Sequence, residues 1–193
     1  MIRASVEDKA LIVDILVEAF EPLDEDNSIN FIVGKGEDRI KKLHFLMSYL
    51  CDKAMRCGEI FLSNNKASCL LICYRDKEVL SWASFKADVK LAFKCIGLGR
   101  LFAVLKRQRI VKRNYPNTNY IRPMIFAVSN EYKGTTTAAK LIMQVFKDFE
   151  KNKLPVIVDT ASEDHVKLYQ KFGLEVYNKE EELGFPIYLL RMN

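Results

Sequence analysis

The stretch from Met124 to Asp159 restricts the possible folds more than any other part of the chain. Met124-Ile-Phe-Ala-Val128 is an apolar run of strand length, closing a strand that begins at Tyr120. A short polar loop follows, and from Thr136 to Lys151 the residues Leu141, Ile142, Val145, Phe146 and Phe149 recur on one helical face. Leu154-Pro155 then opens a second strand, Val156-Ile-Val-Asp159. Strand, loop, amphipathic helix and strand form a β-loop-α-β unit, which commits the chain to the α/β class. Backbone N–H groups exposed at the start of that helix, together with the helix dipole, make a site for a phosphate or diphosphate. Lys133 adds positive charge at its mouth, and the hydroxyls of Thr135, Thr136 and Thr137 can cap the helix or donate to phosphate oxygens. A threonine-capped helix without a ligand is the other reading of these residues.

The rest of the chain supplies partners for this unit. Ile2-Arg3-Ala4 reads as a short strand, followed by a helix from Glu7/Asp8 that Pro22 ends. Leu23 to Glu37 reads as a polar loop, and a second helix from Ile40 stops at Cys57-Gly58. Ile60–Ser63 and Ser68–Tyr74 flank Asn64-Asn-Lys66 as a hairpin. Leu91, Cys95, Leu98, Phe102 and Leu105 repeat at steps of four and three, which predicts a helical insertion over approximately 84–115, broken at Gly97 or Gly99. Ser162-Glu-Asp-His caps a short helix, Val166 to Phe172, and the last strands are Leu174–Tyr177 and Phe185–Arg191. At 193 residues, one domain is expected.

Hydrophobic residues at 49% and charged residues at 28% are the balance of a globular protein. No apolar run approaches the roughly 20 residues that span a bilayer, and the N-terminus lacks a leader pattern, so a cytoplasmic location without membrane association is expected. Five cysteines, odd in number and set among apolar neighbours, are expected to be reduced thiols rather than a disulfide framework, with no metal bound. The formal net charge of +5 is local, because Ser84 to Arg113 carries nine basic residues and one acid. That basic segment reads as a solvated helix face, as a wall of an acceptor pocket, or as a nucleic-acid contact through Lys106, Arg107, Arg109, Lys112 and Arg113. The lack of aromatic residues interleaved with the charges argues against nucleic acid.

Lys133-Gly-Thr-Thr-Thr-Ala138, together with the order of elements, resembles the cofactor motif of the GNAT superfamily of N-acetyltransferases, Arg/Gln-x-x-Gly-x-Gly/Ala after the fourth strand. Lys133 stands for Arg/Gln, and Thr136 stands for the usual glycine. A second block resembles the family's Asn-x-x-Leu-Tyr-x-x-x-Gly-Phe segment, with His165 in place of Asn, Tyr169 in place, and Leu174 in place of Phe. The insertion and the Asp159-Thr-Ala-Ser162 stretch are similar to the puromycin N-acetyltransferase-like branch.

The resemblance implies a mixed, mostly antiparallel sheet of about seven strands flanked by helices, with the insertion before the fourth strand. It implies acetyl transfer from acetyl-CoA to an amine, with Phe126, Ala127, Val128, Lys133, Gly134, Thr135, Thr136, Thr137 and Ala138 holding the co-substrate. A backbone N–H near Phe126 to Val128 would orient the thioester carbonyl, and Tyr169 would protonate the leaving thiolate. Glu18, Glu21, Asp24, Asp159, Glu163 and a water relay are alternatives for the base. A catalytically inactive acyl-CoA-binding protein on the same fold is the alternative function.

Overall fold

The computed structural model describes residues 1–24, 27–79, 81–182 and 184–192. Seven strands form one sheet: β1 Ile2–Arg3, β2 Gly58–Leu62, β3 Ser68–Tyr74, β4 Ile121–Val128, β5 Val156–Thr160, β6 Glu175–Glu180 and β7 Ile187–Met192, in spatial order β1-β2-β3-β4-β5-β7-β6. Every neighbouring pair is antiparallel except β4 and β5. Period-two alternation sends successive side chains to two cores. Leu71 joins Ile12, Leu16, Leu43 and Met47 beneath α1 (Lys9–Phe20) and α3 (Arg39–Cys57), whereas Ile72 joins Leu141, Val145 and Phe149 beneath α6 (Thr137–Asn152). The expected fold class and strand number are those observed.

The expected helical insertion comprises α4 (Trp82–Leu91), a π-helical turn (Ala92–Ile96) and α5 (Leu98–Arg113). Gly97, at φ 76°, makes the break, in a backbone region that L side chains avoid.

Two expectations are corrected. The predicted loop Leu23–Glu37 contains a helix, α2 (Ser28–Val33), started by Asn27, whose Oδ1 accepts the amides of Ile29 at 2.9 Å and Asn30 at 2.8 Å. Six residues are too few for apolar periodicity to declare a helix, so its cap was the only signal available. Second, Cys57 and Cys73 are joined as a disulfide, with Cα atoms 5.2 Å apart, while Cys51, Cys69 and Cys95 are free and buried. α3 runs without a loop into β2, which lays Cys57 against β3. Gly58 sits opposite Cys73, where a Cβ would come within 1.9 Å of the Ile72 carbonyl oxygen. The two residues are 16 apart in sequence, and only the chain reversal brings them together.

Candidate active site at the opening between β4 and β5

β4 and β5 share a single register pair, Ile121 with Val156, and then part. The Ile121 N–H donates to the Pro155 carbonyl at 2.9 Å. In a parallel ladder the next donor toward β5 would be the amide of residue 123, and Pro123 has none. A bulge on β4 adds a second effect: Leu71 pairs with Ile125 but Ile72 pairs with Pro123, leaving Met124 as the extra residue. The bulge inverts the alternation, so Ile121 and Ile125, four residues apart, lie in opposite cores. Ser129 donates to Ala67 of the β2–β3 hairpin at 2.8 Å, which turns Ala127 toward β3 and directs the N–H groups of Phe126 and Val128 into the opening. The amides of Phe126 and Val128 thus lie on the β5 side of β4, where they have no partner among the described residues, whereas Ala127 is buried and packs the strand.

The loop after β4 leads directly to the start of α6. Gly134, at φ 77°, makes the bend, and no atom would lie within 4 Å of a Cβ there. Thr136 adopts helical angles, φ −74° and ψ −4°, so its Cβ causes no backbone strain. The Thr135 hydroxyl donates to the Tyr132 carbonyl at 2.7 Å and accepts the Thr137 amide at 3.3 Å. Thr135, rather than Thr136 or Thr137, is thus the hydroxyl that closes the helix end. The amides of Gly134, Thr136, Ala138 and Ala139 have no partner among the described residues, and Lys133 is exposed beside them. Unpartnered amides at a helix N-terminus, with a lysine next to them in the chain, are the donor set that binds a diphosphate.

On the β5 side, Tyr169 lies on α7 (Glu163–Lys171), half-buried against the α6 core, and its hydroxyl makes no hydrogen bond among the described residues. Burial, and then the nearby carboxylate of Asp159, raise its pKa above the usual 10, so the phenol keeps its proton at neutral pH. The cap of α7 is Ser162, which accepts the His165 amide at 3.4 Å; the His165 ring lies instead 3.4 Å from the Thr160 hydroxyl.

Asp159 belongs to a buried charge cluster that sequence reasoning missed. Arg107 of α5 donates to one carboxylate oxygen at 3.2 Å, Arg122 of β4 donates to the other at 3.1 Å, and the Tyr115 hydroxyl donates to that second oxygen as well. Arg107 also donates to Ser28 at the start of α2. Burial alone would raise the Asp159 carboxyl; the guanidiniums of Arg122 and Arg107, with the Tyr115 hydrogen bond, outweigh it and hold the pKa at about 2. Such a group is a poor proton acceptor at neutral pH. Of the other expected base positions, Glu163 accepts the Tyr188 hydroxyl at 2.8 Å, Asp24 pairs with Lys35 at 3.0 Å, and Glu21 is exposed. Glu18 accepts the Asn130 amide at 2.9 Å, two residues past Val128, and so touches the backbone of the opening.

The basic segment divides by role. Arg100 donates to the carbonyls of Phe31 and Ile32, Arg107 is buried on Asp159, and Arg113 pairs with Glu180 and Glu182. Two of the five residues considered for a nucleic-acid contact, Arg107 and Arg113, are therefore engaged within the fold. Cys57, Cys73 and Glu78 bring three metal-type donor atoms within 4.8 Å of one another, but the two sulfurs are bonded together.

No protein-family model matches the chain, and no curated protein matches it in sequence. Solved structures do. The chain aligns with a histone acetyltransferase HPA2-related acetyltransferase from Corynebacterium glutamicum at TM-score 0.69 and 16% identity, covering 98% of this chain and 93% of that one. It aligns with arylalkylamine N-acetyltransferase 2 from Aedes aegypti at TM-score 0.65 and 11% identity, over 99% and 96% of the two chains. It aligns with the polyamine N-acetyltransferase of Drosophila melanogaster at TM-score 0.62 and 14% identity, over 99% and 97%. At these identities the likeness establishes the fold, which is that of the GNAT acetyltransferases.

Proposed function

We propose that this chain is an acyl-CoA-dependent N-acetyltransferase that moves an acetyl group from acetyl-CoA to a small amine. The amine attacks the thioester carbon directly; the C–N bond forms, the C–S bond breaks, and no covalent enzyme intermediate is needed. One observation carries the reading: the β4–β5 opening has free strand amides on one wall, a helix N-terminus at its end and an unpaired phenol on the other side. The residues fit the co-substrate, because Gly134 leaves the cradle open and Thr136 holds helical angles without strain.

In this reading Lys133 and the amides of Gly134, Thr136 and Ala138 hold the diphosphate. The N–H of Phe126 or Val128 donates to the thioester carbonyl oxygen as charge builds there, a donor type worth roughly 3–4 kcal/mol in comparable sites. Tyr169 delivers its proton to the departing thiolate, and acetyl-CoA supplies the activated acyl group. The acceptor side is framed by α2, α5 and the β6–β7 connection, where Phe31 and Phe185 meet edge to face at 5.8 Å. Glu18 is the first carboxylate to test as the route for the ammonium proton. The arylalkylamine and polyamine N-acetyltransferases among the structural neighbours support an amine acceptor.

Acetyl-CoA at 100 times its Kd should raise stability by about 2.7 kcal/mol in thermal unfolding. A panel of amines assayed by thiol release should then identify an acceptor. Absence of any stabilisation by acetyl-CoA refutes the proposal. Stabilisation without thiol release from any amine would favour an acyl-CoA-binding protein that does not turn over.

A further inference from the structure

The inserted helices carry a surface that acetyl transfer does not use. At its C-terminal end and in the π turn, α4 buries Leu91, Cys95 and Ile96 against the core. Its opposite face presents Trp82, Phe85, Val89 and Phe93 at steps of three, four and four, a single outward stripe. These side chains are 80%, 57%, 39% and 66% exposed, and the Trp82 and Phe85 rings meet edge to face at 6.1 Å. Phe102 of α5 is 83% exposed. Among the described residues, every exposed tryptophan or phenylalanine lies in this insertion. That concentration distinguishes the stripe from the scattered apolar residues of an ordinary surface.

Charge accompanies the stripe. Lys86, Lys90 and Lys94, four residues apart, run along one of its edges, exposed and without a carboxylate partner among the described residues, the Lys90 ammonium lying 5.8 Å from the centre of the Phe45 ring. The only acid of the segment, Asp88, accepts the Tyr49 hydroxyl at 2.6 Å. On α5, Lys106, Arg109 and Lys112 are likewise exposed and have no acidic partner among the described residues.

Three occupants can be compared. A second copy could cover the apolar stripe, but a two-fold contact would set the same unneutralised lysines against each other. Nucleic acid would neutralise the lysines and stack on Trp82, Phe85 and Phe93, which alternate with the lysines here, contrary to the expectation from sequence; yet it offers Val89 no apolar layer. A bilayer with anionic headgroups supplies both requirements in the right order: hydrocarbon beneath the stripe, and negative charge at the level where extended lysine side chains end. No described helix is long and apolar enough to cross a membrane, so the contact is with the surface. We infer that the outward face of α4 docks this protein on anionic lipid bilayers. The inference is independent of acetyl transfer, and it reverses the expectation from composition that no membrane is involved.

Trp82 is the only tryptophan of the chain, so intrinsic fluorescence reports on this face alone. The full chain is mixed with vesicles of phosphatidylcholine, with or without phosphatidylserine. With phosphatidylserine, the Trp82 emission should shift to the blue, iodide quenching should fall and the protein should sediment with the vesicles; added salt should weaken all three. Replacing Lys86→Gln and Lys90→Gln should lower the partition coefficient about fivefold for each lysine removed. Phe85→Ser combined with Phe93→Ser should abolish binding while the thermal midpoint holds, because both rings face solvent. Unchanged emission with both vesicle types overturns the inference. So does a blue shift that grows with protein concentration in the absence of lipid, which would mean self-association, or one produced by single-stranded RNA and not by vesicles.

Discussion

Replacing Asp159→Asn tests the buried cluster that joins α5, β4 and β5. Asparagine keeps the shape and an acceptor for Tyr115, but leaves the guanidiniums of Arg107 and Arg122 without a negative partner. The Asp159 side chain is 10% exposed, and those of Arg107 and Arg122 are 9% and 29% exposed. Removing one member of such a buried pair typically costs about 3–5 kcal/mol, a large part of the roughly 5–15 kcal/mol that holds a domain together. The carboxyl pKa falls from 3.8 unfolded to about 2 folded. That difference corresponds to stability on the order of 2 kcal/mol. Because the folded value is the lower one, this contribution is fully present above pH 4 and is lost as pH falls through 3.8 toward 2. Urea unfolding of both proteins at neutral pH and near pH 2 gives the comparison, and the other carboxylates titrate equally in each and cancel. The gap between wild type and Asp159→Asn should narrow by roughly 2 kcal/mol in acid. A gap of the same size at both pH values would show that the arginines do not hold this carboxylate ionised.

Tyr169→Phe should lower kcat by roughly 10²–10⁴ with the true acceptor, while the thermal midpoint changes little, since the lost hydroxyl has no hydrogen-bond partner among the described residues. Lys133→Ala should weaken CoA more than a pantetheine thioester lacking the diphosphate; equal losses on both would remove Lys133 from the phosphate site. Pro123→Ala restores the donor facing Ile157 and should weaken acetyl-CoA binding by closing the top of the opening; an unaltered Kd from calorimetry would assign the parting of the strands to the bulge alone. Alkylation of the denatured, unreduced chain should label three thiols rather than five, and reduction should lower stability by about 3 kcal/mol for a loop of this length.

What the sequence made legible was local. The β-loop-α-β unit, the helix start at Thr136–Thr137 and the helical character of the insertion all follow from periodicity and capping within windows of about 20 residues. Pro123 was equally visible, and a proline inside a strand is itself a sign of broken pairing, but its meaning depends on which edge faces β5. That edge is set by the bulge at Met124, which no pattern of apolar residues declares. The Asp159 cluster was out of reach for another reason. Its members come from four segments, and Arg107 lies 52 residues from Asp159 inside a basic run read as a solvated face, a pocket wall or a nucleic-acid contact, with nothing to single out one arginine.

The same cluster links the insertion to the chemistry proposed for the opening. Arg107 holds the Asp159 carboxylate from α5 while it also donates to Ser28 of α2, so one side chain ties the insertion, α2 and β5 together. Burial, and after it the negative charge of Asp159, raise the pKa of the Tyr169 phenol. Arg107→Met should disturb turnover beyond its effect on stability: a carboxylate with fewer cations beside it presents more negative charge to the phenol and raises its pKa further. A proton donor made weaker slows departure of the thiolate, so kcat should fall while the acetyl-CoA Kd holds. A variant whose kcat is unchanged at a temperature where it remains folded would confine Arg107 to a structural role.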